Sequence, residues 1–162
     1  MLFIFKQTMK ILFVCLGNIC RSPMAHGVMQ HLVEKAGLSN QIQVDSCGMF
    51  GHPEGTSTEY GTQKAITDKL GISFSKKSRH WRNSDYDGFD LILAMDKSNF
   101  QDIIKEIGKR DRSKIRMFRD YDPEGKGDVP DPYYCGRFEL VYSIVERTCR
   151  SILDRIKNGK AL

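Results

Sequence analysis

The stretch "ILFVCLGNICRSP", Ile11 to Pro23, decides how this chain reads. Lys10 to Leu16 is apolar and β-branched enough for a strand buried on both faces. Gly17 and Asn18 break that run: glycine permits close backbone approach, and asparagine tolerates the left-handed conformation. From Ser22 the pattern turns helical. Met24, Val28 and Leu32 recur at four-residue steps, flanked by Ala25, Met29, Val33 and Ala36, and Gly37 supplies a C-terminal stop. A cysteine therefore ends a strand just before a helix opens. At such a turn successive backbone N–H groups converge on an anion.

Spacing alone does not carry this reading. The same Cys-x5-Arg pattern recurs in "CRSILDR", Cys149 to Arg155, inside a glycine-free helical stretch, where a packed cysteine and a solvated arginine are expected. At Cys15 the context supplies chemistry. A free thiol ionises near 8.5, so only about 3% is thiolate at neutral pH. Convergent N–H groups, the helix N-terminus and the Arg21 charge favour the thiolate, and Ser22 can add a hydroxyl hydrogen bond. Arg21 can hold two phosphoryl oxygens in its planar fork. The loop from Cys15 through Leu16, Gly17, Asn18, Ile19 and Cys20 to Arg21 and Ser22 suits a cysteine that attacks phosphorus. Cys20 has two readings, a small core residue or a partner that traps oxidised Cys15 as a reversible disulfide.

The rest of the chain alternates. "IQVDS" reads as a second strand, and Thr58 to Leu70 as a helix closed by Gly71. "FDLILAM" gives a third strand, with Asp96 and Ser98 starting the next helix, and "KIRMF" gives a fourth. "RDYDPEGKGDVPDPYYCG" is loop, followed by a long amphipathic helix from Phe138 to Ile156. This alternation predicts an α/β single-domain, three-layer sandwich: a parallel sheet with helices on both faces and ligands beyond the carboxyl ends of the strands. Residues 9–160 form that one domain. Residues 1–8 read as an N-terminal extension, disordered or added upstream.

With 162 residues, 40% apolar and 28% charged, the chain is long enough for a core without staples. Five cysteines in no framework spacing point to free thiols and the cytosol. No run reaches the ~20 apolar residues of a membrane span. The net charge of +5 reads as an ordinary solvated basic surface or as steering of a phosphorylated substrate, and no basic block interleaved with aromatics suggests nucleic acid. None of the four histidines sits with cysteines at metal-ligand spacing.

"VCLGNICRSP" followed by "DPYY" resembles the low-molecular-weight protein tyrosine phosphatases, as do "VDSCG", "FDLILAMDKSN" and "VPDPYYCG" in the same order. The resemblance implies a four-stranded parallel sheet, no cofactor, no metal, and hydrolysis of phosphotyrosine in proteins or peptides by a monomer. It makes Cys15 the nucleophile and Arg21 the phosphate clamp, with Asn18, Ser22 and Ser46 holding the loop. Phosphate, vanadate or similar oxyanions would occupy that loop.

An acid that protonates a departing tyrosyl oxygen accelerates the reaction by typically 10²–10⁴-fold. Asp131, confined between two prolines, takes that role by resemblance and then acts as base toward water. Asp122 and Asp128 are rival carboxylates in the looser half of the loop. Tyr133 and Tyr134 would flank an aromatic substrate, with Phe50 a candidate for the opposite wall. The chain departs from the family at "SCGMFGHPEG", where Cys47 and Met49 replace smaller residues, and at Lys76, which stands near a position usually held by histidine. Arg79 is retained. Two rivals remain: an arsenate reductase on the same scaffold, which lacks its relay cysteines in Arg79 to Phe89, and a non-catalytic phosphate-binding module.

Overall fold

The computed structural model describes residues 8–162. The reading of residues 1–8 as an extension lies, apart from Thr8, outside the described residues. Four strands, β1 (Met9–Cys15), β2 (Ile42–Gly48), β3 (Leu91–Ala94) and β4 (Ile115–Met117), form one parallel sheet in the order β2-β1-β3-β4. The expected α/β sandwich is present. Side chains alternate across the sheet as the period of two requires. Ile11, Phe13 and Cys15 face one cluster with Leu91 and Leu93, and Leu12 and Val14 face another with Ile92 and Ala94.

The first cluster is covered by α1 (Arg21–Lys35), α2 (Tyr60–Leu70) and α6 (Phe138–Lys157), the second by α4 (Lys97–Ile107). Two further helices are short: α3 (Asp85–Gly88) and α5 (Pro132–Cys135). Asp96 caps α4 as expected, its Oδ1 accepting the Asn99 N–H at 2.7 Å.

The stretch read wholly as loop differs from expectation at both ends. Phe118–Tyr121 turns as a 3-10 segment that buries Phe118 and Tyr121. Pro132–Cys135 forms α5 because Asp131 caps it and Pro132 presets its first residue. The second Cys-x5-Arg pair behaves as context implied at its cysteine, which is buried inside α6. Arg155 is less solvated than expected, lying 5.4 Å over the Tyr121 ring.

Candidate active site

β1 delivers Cys15 to the carboxyl edge of the sheet, beside the centre of the strand order, and the chain turns there into α1. Asn18 makes the turn with φ of 56°, the left-handed region that asparagine enters more cheaply than most residues. Gly48, at the end of β2, lies directly under the turn. A Cβ there would meet Leu16 O at 2.7 Å, Gly17 C at 2.8 Å and Asn18 N at 2.9 Å, so only glycine fits. The 15-residue α1 begins with no side-chain cap and no acidic residue in its first turn. Its leading N–H groups and the positive end of its dipole are thus directed at the loop.

Beneath the loop runs a chain of hydrogen bonds. The Cys15 Sγ accepts the Asn18 N–H at 3.2 Å and lies 3.0 Å from Ser22 Oγ. The Asn18 side-chain amide donates to Ser22 Oγ at 2.8 Å and Ser46 Oγ at 3.0 Å, while its oxygen accepts the Arg79 backbone N–H at 3.1 Å. Lys76 Nζ donates to the Ser46 carbonyl at 2.6 Å and to Ser46 Oγ at 3.2 Å, and His26 Nδ1 lies 3.0 Å from the same hydroxyl. Arg79 is clamped by Asp45 and Asp85. Burial, then the Lys76 charge, lowers His26 to about 4, and burial pushes Lys76 below the usual lysine range.

Over the loop, Arg21 is 2% exposed and already aimed. Its Nη1 donates to Asp96 Oδ2 at 2.6 Å and to the Val129 carbonyl at 3.1 Å, and its Nη2 to Asp131 Oδ2 at 3.3 Å. The other Asp131 oxygen accepts the Tyr133 N–H at 3.1 Å. The two rival carboxylates lie elsewhere. Asp122 is buried between Arg119 and Arg147, and Asp128 accepts the Lys97 N–H at 2.9 Å.

Cys15, Leu16, Gly17, Ile19, Cys20, Arg21 and Asp131 line a single cleft with Tyr133, Tyr134 and His52. Phe50 is 56% exposed and does not line it; the wall facing Tyr133 is His52, whose ring centroid lies 5.4 Å away. Cys20 is buried, and that burial, with the Asp131 charge, pushes its thiol up. Sequence reasoning missed His52, Asp96 as a partner of Arg21, and His26 in the support. The fourfold spacing of α1 placed His26 next to its apolar stripe and gave no hint of a polar partner.

A strand-to-helix turn with a sulfur at its base, an arginine over it and a carboxyl at its rim has the chemistry to hold an anion. The chain matches the low molecular weight phosphotyrosine protein phosphatase family over residues 10–162. It is 41% identical over 154 residues to the low molecular weight protein-tyrosine-phosphatase YfkJ of Bacillus subtilis, covering 94% of this chain and 98% of that one. It is 38% identical over 154 residues to the human low molecular weight phosphotyrosine protein phosphatase, with 93% and 97% covered. The crystal structure of YfkJ superposes with a TM-score of 0.89 at 39% identity, over 96% of this chain and 98% of that one. This chain belongs to the low-molecular-weight phosphotyrosine protein phosphatase family, a family of hydrolases. Among the described residues no helix is long and apolar enough to cross a membrane, and no group of three His, Cys, Asp or Glu side chains is placed to hold a metal ion.

Proposed function

We propose that this protein hydrolyses phosphotyrosine in proteins through a phosphocysteine, with Cys15 as nucleophile, Arg21 as phosphate clamp and Asp131 as acid and then base. The observation that carries the reading is the meeting of Cys15, Arg21 and Asp131 in one cleft, where Arg21 Nη2 reaches Asp131 at 3.3 Å. The Asn18 N–H and the Ser22 hydroxyl stabilise negative charge on the sulfur. The sulfur attacks phosphorus, an S–P bond forms, and the bond from phosphorus to the tyrosyl oxygen breaks. Asp131 gives that oxygen its proton. Water then attacks phosphorus, passes a proton to Asp131, and the S–P bond breaks to release phosphate and restore the thiolate. Arg21 and the loop N–H groups neutralise charge on the three equatorial oxygens throughout.

Tyr133, His52 and Ile19 give the cleft an aromatic and apolar lining suited to an aryl group. The test varies the leaving group with EDTA present. Asp131→Ala loses 10²–10⁴-fold in kcat/KM, which reports the first step, on phosphotyrosine but far less on a dinitrophenyl phosphate, whose leaving group needs no proton. Equal losses on both substrates would remove Asp131 from the role. Full activity in Cys15→Ser would remove the mechanism.

A further inference from the structure

Three nitrogens surround the Ser46 hydroxyl, from Asn18, Lys76 and His26, and the hydroxyl has two lone pairs and one proton. The Asn18 amide cannot turn over, because its oxygen accepts the Arg79 backbone N–H. Both of its N–H bonds therefore point to hydroxyls, one to Ser22 and one to Ser46. Lys76 can only donate, and it fills the second Ser46 lone pair. What remains between Ser46 Oγ and His26 Nδ1 is the serine's own proton.

We propose that Lys76 and His26 are positioning residues for the phosphate loop. Lys76 donates to Ser46, the Ser46 proton is directed onto an unprotonated His26 Nδ1, and Asn18 is held with both amide hydrogens under the loop. The inference rests on the loop being the phosphatase site and explains how lysine serves there. It also makes His26 a condition of the arrangement. A proton on Nδ1 would confront Ser46 with a third donor and break one bond of the chain, and the Asp45 carboxylate, 3.9 Å from the same nitrogen, is the alternative partner.

The charged groups facing His26 are Asp45 from β2 and Lys76 and Arg79 from the segment after α2; Gln30, on its own helix, is neutral. The Phe74 ring closes the remaining side, with centroids 5.2 Å apart. Burial together with Lys76 keeps the ring neutral down to about pH 4.

The experiment is NMR of the full chain carrying ¹⁵N-histidine, with phosphatase kinetics alongside. In the wild type His26 is expected as the Nε2–H tautomer from pH 5 to 8. Lys76→Met should let His26 titrate at higher pH and raise the inhibition constant of inorganic phosphate by roughly tenfold. Lys76→Gln, which keeps an N–H donor without charge, should restore phosphate binding. An Nδ1–H tautomer in the wild type would overturn the proposal. So would Lys76→Met with His26 titration and phosphate inhibition both unchanged. The tautomer is read without turnover, so an inactive wild type would overturn the phosphatase reading and leave this one standing on the NMR result.

Discussion

Arg21 Nη2 lies 3.3 Å from Asp131 Oδ2, and Arg21 Nη1 lies 2.6 Å from Asp96 Oδ2. The guanidinium is thus held by two carboxylates from different loops. Asp96 sets its direction, and Asp131 is drawn over the cleft by the group proposed to bind the phosphate. Preorganisation of this kind lowers the reorganisation needed in the transition state.

Asp96 has two functions that a single substitution separates. One oxygen caps α4 and the other holds Arg21. Asparagine caps helices as well as aspartate but brings no charge. Asp96→Asn should therefore leave thermal stability within a few degrees of wild type while the phosphate inhibition constant rises about tenfold, equivalent to roughly 1.4 kcal/mol. Calorimetry and inhibition by inorganic phosphate check both halves. A fall in stability with phosphate binding unchanged would contradict the assignment.

Asp122 is a buried carboxylate held between Arg119 and Arg147, and its ionisation should set a pH dependence of stability. Burial alone would raise its carboxyl, but Arg147, the Glu124 N–H and Arg119 hold it at about 2. An unfolded aspartate ionises near 3.9, so the unfolded chain binds the proton more readily over the interval between. The contribution of roughly 2.5 kcal/mol is complete above about pH 4 and is lost as pH falls toward 2. Asp122→Asn, which leaves Arg147 and Arg119 without a counter-charge, should cost about 3 kcal/mol at pH 7. The gap to wild type should narrow by about 1 kcal/mol at pH 3. Urea unfolding at both pH values measures this; an identical gap would contradict it.

Gly48→Ala places a methyl within 3 Å of three backbone atoms of the phosphate loop. Backbone cannot give way as a side-chain tip can, so the turn from Leu16 to Asn18 must shift. The expected result is a loss of at least 10²-fold in kcat/KM, because a displacement near 1 Å is enough for that, together with about 2 kcal/mol of stability. Activity within twofold of wild type would show that the loop tolerates the methyl.

The site was legible where its chemistry depends on local pattern. Cys15, Gly17, Asn18 and Arg21 lie in one strand-to-helix turn, whose two hydrophobic periods bracket the loop in the sequence itself. Two prolines marked Asp131 as confined, but its role as the acid came from the family resemblance and not from local pattern. The supporting network was not legible, because it joins residues that only the sheet register and the return after α2 bring together. His26 and Ser46 meet across α1 and β2, and Lys76 meets Ser46 because the segment through His80 pairs alongside Gly48. The short α5 escaped notice because four residues have no period to read; its cap and its proline were the available marks. His52 offered no local mark, since its stacking partner Tyr133 is brought over from a distant loop.

Cys20 is buried, with its thiol pushed up by that burial, so it stays protonated beside Cys15. Iodoacetate at neutral pH should alkylate Cys15 well ahead of Cys20. After brief peroxide treatment, Cys15 sulfenic acid should condense with the Cys20 thiol, forming an S–S bond and releasing water. Wild type should then recover activity with dithiothreitol, and Cys20→Ser should recover far less. Irreversible loss in wild type, with no Cys15–Cys20 peptide in mass spectra, would refute the protective role.

The covalent intermediate is the centre of the account, and it can be caught. Rapid acid quench of the wild type turning over a ³²P-phosphotyrosyl peptide, followed by peptide mapping, should place the label on Cys15. With Asp131 present to protonate the tyrosyl oxygen as proposed, the first step stays fast, and a quench within the first turnover should catch the phosphoenzyme before water attacks. Label on Cys15, absent from Cys15→Ser, is the expected result. Turnover of the peptide with no phosphorus on Cys15 at any time would contradict it.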